Sequence, residues 1–185
     1  MKIVNENALL LCGIDEAGRG CLAGSLVICG VVLTKNIDGL ADSKKLSEKN
    51  REYLYEQIIA SSRYHIVSFS ASQIDKLGIS VCLRLGLEEI KSFMGDCEYL
   101  YDGNCTFGVD GISTMVKADT KIAEVSAASI LAKVTRDREI NDTDSLYPEY
   151  GFLSHKGYGT AKHMEAIKLY GRIPIHRYSF KVKGL

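Results

Sequence analysis

The chain carries no surplus of charge of either sign: 23 lysines and arginines stand against 23 aspartates and glutamates in 185 residues. No global positive field therefore advertises a polyanionic partner, and any contact with nucleic acid must use a local basic patch. Paired cysteines are lacking as well. Cys12, Cys21, Cys29, Cys82, Cys97 and Cys105 are scattered, none in a C-x-x-C pair, which argues against zinc. Several lie in apolar runs, where a reduced cysteine is a small hydrophobe. The N-terminus shows no basic region followed by an apolar stretch and a small-residue cleavage site, so no signal peptide is expected. No apolar run reaches the ~18 residues of a spanning helix. Internal repeats, low-complexity tracts and interdomain linkers are missing. So is the G-x-x-x-x-G-K-[ST] loop, which excludes a P-loop NTPase. The expectation is a reduced, soluble, cytoplasmic protein of one domain, residues 1–185, with no membrane partner.

One stretch stands out against that background. Gly13-Ile14-Asp15-Glu16-Ala17-Gly18-Arg19-Gly20 follows the apolar run Leu9-Leu10-Leu11-Cys12, which reads as a short buried strand with the two acids at its end. Paired like charges repel, and burying either is costly unless a cation compensates it. Three glycines permit positive φ and close approach of a ligand to the backbone. Arg19 adds fixed donors for a phosphate or hydroxyl. The octapeptide thus reads as a metal-binding acidic pair beside a backbone cradle for a phosphodiester. The alternative is a surface turn with two solvated acids.

The remaining pattern is α/β with a mixed sheet. Residues 26–33 are a continuous apolar run, expected as a central strand. Ser47 is placed to cap a helix over 48–61, with Leu54, Tyr55, Ile58 and Ile59 on one face. Residues 64–69 are β-branched and aromatic, a third strand. Helices are expected over 70–76 and 80–94, and a short strand at 99–102 runs into the turn Asp102-Gly103-Asn104. Residues 105–116 show no helical period and read as a loop or hairpin. The best helix candidate, 121–142, has a small-residue centre, Ser126-Ala127-Ala128-Ser129, suited to close packing on a sheet. Thr160 is placed to cap a last helix ending near Tyr170.

Four carboxylates stand at element boundaries: Asp15, Glu16, Asp102 and Asp119. Neighbouring strand ends converge in space, so these segments can assemble one acidic cluster, which is unstable without divalent cations. Hard oxygen ligands with room for water favour Mg²⁺ or Mn²⁺, and two such ions can activate water and stabilise a leaving oxygen. Each aspartate alone could be only a cap or turn residue. Asp110-Gly111 competes with Asp102-Gly103, but Asp102 follows a convincing strand and Asp110 does not.

Gly13–Gly20 resembles the signature of bacterial ribonuclease HII, the type 2 ribonuclease H. The resemblance extends, in order, through Asp42-Ser43-Lys44-Lys45-Leu46, Asp102-Gly103-Asn104, the run from Ala127 to Asp137, Tyr150-Gly151-Phe152, His155-Lys156-Gly157-Tyr158-Gly159-Thr160 and His176-Arg177. It covers nearly the whole chain. It implies a ribonuclease H-like fold, with a mixed central sheet flanked by helices and a helical C-terminal part. It also implies cleavage of RNA in RNA–DNA hybrids and cutting 5′ to single ribonucleotides in duplex DNA, leaving a 3′-hydroxyl and a 5′-phosphate.

By matching position, the resemblance makes Asp15, Glu16, Asp102 and Asp119 the metal-binding catalytic carboxylates. Gly18, Arg19 and Gly20 would meet the ribonucleotide's 2′-hydroxyl and adjoining phosphate, and Tyr158 would stack at the RNA–DNA junction. That suits the chemistry, because only the 2′-hydroxyl marks RNA at a single site; apart from the resemblance, Tyr158 reads as a packed loop aromatic. Lys44, Lys45, Lys133, Arg136, Lys156 and Arg177 would supply the local basic surface, contacts that position a duplex without reading sequence. His155 and His176 are given no catalytic role. The sequence departs from the family where Cys21 and Ser25 replace common prolines, a change expected to loosen the cradle, and where Ala118 replaces glycine. No clamp-binding peptide is recognisable in the tail, the extra N-terminal domain of the type 3 enzymes is not expected before Gly13, and a monomer is expected. Two other readings remain: a general hybrid nuclease without junction specificity, and a non-catalytic nucleic-acid binder. The second gains nothing from an acidic cluster.

Overall fold

The computed structural model describes residues 9–40 and 45–182. Its sheet is mixed. β1 (Leu10–Ala17), β2 (Leu26–Leu33) and β3 (Ser62–Phe69) are successive antiparallel neighbours, while β4 (Cys97–Asp102) runs parallel to β1 and β5 (Ser113–Met115) parallel to β4. The resulting order is β3-β2-β1-β4-β5. Around it lie α1 (Glu48–Ser61), α2 (Ala71–Leu77), α3 (Ile79–Met94), α4 (Ala123–Asp144), α5 (Phe152–His155) and α6 (Ala161–Tyr170). The capping residues are those the sequence indicated: the Ser47 hydroxyl accepts from Asn50 N at 3.2 Å, and that of Thr160 from His163 N at 3.3 Å.

β1 is longer than the apolar run alone and carries both acids in its last three residues, Asp15 opposite Cys29 and Glu16 opposite Ile28, at the strand's end as expected. β1 also takes the middle of the sheet, and β2, though interior, stands second. Residues 105–116 form no hairpin; they lead into the short, exposed β5, parallel to β4. Three exposed residues carry no hydrophobic alternation, so no pattern announces them.

Strand periodicity divides the core. Cys12, Ile14 and Ile28 face α3, packing with Leu83, Leu87 and Ile90. On the other face Val27, Cys29 and Val31 meet Leu54 and Ile58 of α1 and Ala127, Ala128 and Leu131 of α4. Gly13 lies where α4 crosses β1. A Cβ there would stand 2.3 Å from the Glu124 carbonyl carbon, so helix and strand touch almost backbone to backbone. A third cluster, including Ala23, Ile140, Tyr150, Phe152, Ala166 and Ile167, joins the end of α4 to α5, α6 and the segment after β1. All six cysteines are free thiols.

Candidate active site

The alternation that builds the core also sorts the acids. Asp15 shares the face of β1 that carries Ala17 toward α4, whereas Glu16 shares the face of Ile14. In β4 the Tyr101 ring belongs to the α3-side core, so Asp102, the next residue, turns toward α4. Asp119 comes from a 3₁₀ turn, Ala118–Thr120, just before α4, and the Ala118 amide donates to Asp102 Oδ1 at 3.4 Å. Ligand oxygens of Asp15, Asp102 and Asp119 all lie within 4.8 Å of one another. Glu16 stands apart from that group. It accepts a 2.6 Å hydrogen bond from the Tyr101 hydroxyl and approaches Arg19 at 3.9 Å. Yet it lines the same open cavity of about 390 Å³ as Asp15 and Asp102.

The two adjacent acids of β1 sit in an unfavourable electrostatic setting. Burial, then the charge of Glu16, pushes the Asp15 carboxyl well above the usual carboxylate range, against hydrogen bonds from Ser129 and the Glu16 amide. Burial likewise raises Glu16, opposed by the Tyr101 hydroxyl. Three converging hard oxygen donors, one of them driven toward its neutral form, suit a divalent cation such as Mg²⁺ or Mn²⁺. Asp110 lies exposed in a turn, its carbonyl accepting from Lys91, and is outside the group.

The cradle is built by chain far away in sequence. Gly18, at φ +89°, places its α-carbon so that a Cβ would stand 2.2 Å from Arg136 Nε. Arg136 donates to the carbonyls of Ser25 (3.1 Å) and Ala23 (3.0 Å). Arg177 donates to those of Gly24 (3.1 Å), Arg19 (3.1 Å) and Ser25 (2.9 Å). Both arginines are 1% exposed. The expectation that they belong to a basic surface is therefore corrected: a tight turn leaves carbonyls unpaired, and guanidinium forks satisfy them. Both forks hold the Ser25 carbonyl, at one of the two positions where the family commonly has proline.

Around the cavity stand Gly18, Arg19, Gly20, Lys133 and Tyr158. Lys133 is ion-paired to Asp137 at 2.7 Å. Tyr158 is 43% exposed, its ring facing the Arg136 guanidinium at 5.7 Å. Lys45 is exposed ahead of α1 and does not line the cavity, and Lys156 is bonded to Asn141. Lys44 lies outside the described residues. His155 and His176 are buried and hydrogen-bonded, and neither lines the cavity. Sequence reasoning passed over Tyr101 and Ser129. Both were within reach of periodicity: Tyr101 neighbours Asp102 on the opposite face, and Ser129 precedes Lys133 by one helical turn.

A mixed sheet whose parallel neighbours β1 and β4 bring carboxylates to a third beside α4 defines a ribonuclease H-like, divalent-metal-dependent nuclease. The family model described as Ribonuclease HII matches residues 12–94 and 98–183, and the chain belongs to that family. Its members are endonucleases that cleave RNA in RNA–DNA hybrids. A Sulfurovum ribonuclease HII is 65% identical over 175 residues, covering 95% of this chain and 93% of the relative. One from Aliarcobacter butzleri is 54% identical over 179 residues, covering 95% and 92%. Among solved structures, the ribonuclease HII of Archaeoglobus fulgidus, in a complex with PCNA, superposes with a TM-score of 0.81 at 29% identity, covering 95% of this chain and 96% of that one. Bst-RNase HIII, in complex with Mn²⁺, shares the fold with a TM-score of 0.72 at 16% identity, covering 95% and 68%.

Proposed function

We propose that this chain cuts duplex DNA 5′ to a single embedded ribonucleotide, as well as the RNA strand of hybrids, leaving a 3′-hydroxyl and a 5′-phosphate. The observation that carries this reading is the joining of two devices in one cavity: the carboxylates of Asp15 and Asp102 and, on the rim, the Gly18-Arg19-Gly20 turn with Tyr158. Only the 2′-hydroxyl distinguishes the target, so recognition demands donors and acceptors at close range. The glycines let the backbone approach the ribose. Arg19 meets the adjoining phosphate, and Tyr158 offers a flat face to the sugar and a hydroxyl to its 2′ oxygen. Asp15, Asp102 and Asp119 would hold one Mg²⁺ or Mn²⁺, and Glu16, on the same cavity, would help to hold a second. Such ions supply charge neutralisation at the phosphate and a more acidic water. Lys133, held by Asp137, faces the flanking backbone. Every group invoked comes from one copy of the chain, so a monomer suffices, and none of the described helices is long and apolar enough to cross a membrane.

The test is a labelled DNA duplex with one ribonucleotide, beside an all-DNA control, with Mg²⁺ or Mn²⁺. A single metal-dependent cut 5′ to the ribonucleotide is expected, lost in Asp102→Asn and kept in Asp110→Asn. Binding without cutting by folded wild-type protein would sink the reading.

A further inference from the structure

Three of the four histidines meet directly behind Tyr158. His155 ends α5, His163 lies in the first turn of α6, and His176 belongs to the C-terminal segment; all three are buried. The rings of His155 and His163 stack with centroids 4.4 Å apart and planes 13° from parallel. Nε2 of His163 lies 3.0 Å from Nε2 of His176.

Backbone amides fix where every proton in this set must be, because an amide can only donate. The Gly157 amide donates to His155 Nδ1 at 3.2 Å, so His155 is protonated at Nε2, which donates to the Tyr150 carbonyl at 2.9 Å. The Ile173 amide donates to His176 Nδ1 at 2.9 Å, closer than the 3.3 Å from that nitrogen to the Ile173 carbonyl, so the shorter contact assigns Nδ1 as the acceptor. His176 is then protonated at Nε2 and donates to His163 Nε2. The proton of His163 is thereby forced onto Nδ1, which donates to the Tyr158 carbonyl at 2.9 Å. One arrangement of three neutral rings satisfies all six nitrogens.

The chain of bonds ends on the peptide that carries the rim aromatic. The Tyr158 carbonyl also accepts from Thr160 N at 2.8 Å, and the preceding carbonyl, of Gly157, accepts from Leu22 N at 2.9 Å and Ala23 N at 3.3 Å in the cradle. Lys156 and Gly157 are both left-handed, at φ 50° and 80°, so this loop has little freedom once its two carbonyls are held. We propose that His163, oriented by His176, is a positioning residue for Tyr158: its Nδ1–H fixes the Tyr158 carbonyl and so sets the direction in which the phenol enters the cavity. The consequence is specificity for a lone ribonucleotide, where a single sugar contact must suffice; a long hybrid offers many registers. This rests on the reading of Tyr158 given above.

Two experiments decide it. In the wild-type protein, long-range ¹⁵N–¹H spectra of the imidazoles should show His163 as the Nδ1–H tautomer and His155 and His176 as Nε2–H. Any other tautomer at His163 overturns the proposal without a variant. Second, His163→Asn keeps a donor at the Nδ1 position, whereas His163→Gln keeps only the Nε2 position. The Gln variant should lose about tenfold in kcat/KM on the single-ribonucleotide duplex, the worth of one orienting hydrogen bond, with far less change on a long RNA–DNA hybrid. The Asn variant should recover most of the loss. In a Tyr158→Ala background, His163→Gln should cost nothing further. Equal losses on both substrates, or additive losses with Tyr158→Ala, would make His163 merely structural. If Tyr158→Ala alone leaves single-ribonucleotide cutting intact, the parent reading of Tyr158 fails and this proposal with it, an outcome distinct from additivity.

Discussion

Asp15→Asn replaces one oxygen of the acidic group by an amide nitrogen and removes one charge. The ligand oxygens of Asp15, Asp102 and Asp119 lie within 4.8 Å of each other, and at an effective dielectric of ~20 each like-charged pair at that separation costs about 3.5 kcal/mol. The raised Asp15 carboxyl takes up a proton more readily and so caps that cost, leaving roughly 2 kcal/mol of relief expected from the substitution. For a chain of this size that is a Tm increase of roughly 4–8 °C in EDTA. The amide keeps the acceptor used by the Glu16 N–H at 2.8 Å and adds a donor toward the neighbouring carboxylates. Saturating Mg²⁺ should reverse the order, raising the wild-type Tm and scarcely moving that of the variant, which should hydrolyse no substrate. Calorimetric melts with and without the ion measure both shifts. An Asp15→Asn protein less stable than wild type in EDTA, or one stabilised equally by Mg²⁺, would refute the claim that the cluster is strained until a cation fills it.

Three further outcomes follow from the geometry. Gly18→Ala should destabilise by about 2–4 kcal/mol and abolish cutting, because its φ is +89° and its Cβ would strike Arg136 and the Ser25 carbonyl; Gly20→Ala, with nothing within 4 Å, should melt like wild type and lose activity only where substrate meets the turn. Gly13→Ala should cost at least about 3 kcal/mol in urea unfolding, since α4 cannot retreat from β1 without opening the core. Burial, then the His163 ring, lowers the His176 pKa from the usual 6.5 to about 4, so the unfolded chain takes up this proton first as pH falls. Its contribution is complete above about pH 6.5 and declines toward pH 4 by roughly 3 kcal/mol; urea midpoints across that window should fall more steeply in wild type than in His176→Gln.

Much of the fold was legible because burial leaves a period. The unbroken apolar run at 26–33 announced an interior strand, the caps Ser47 and Thr160 announced α1 and α6, and the small residues around Ala127 announced a helix pressed onto the sheet. Asp15, Asp102 and Asp119 were legible as a group because each stands beside an element's end. The misreadings share one cause: a side chain's chemical type says where it usually lies, and the surroundings decide where it does lie. Adjacency in sequence does not show that the alternation of β1 turns Asp15 and Glu16 to opposite faces of the strand. Arginine is ordinarily a surface residue. Only the folded turn reveals the carbonyls of Arg19, Ala23, Gly24 and Ser25 that draw Arg136 and Arg177 inside. The proton order of the histidines likewise depends on amides that no sequence pattern places.

The Arg177 fork has a consequence in time as well as in space. Asp15 and the glycine turn are made early relative to their partner: the guanidinium that closes on the Arg19 carbonyl follows 158 residues later. Loops of that length are slow to close, and their contacts contribute only at the end of folding. A chain still being synthesised therefore has its acids and the first strands of its sheet before it has a finished turn to receive a strand of nucleic acid. The cradle is finished only when the segment carrying Arg177 closes over it.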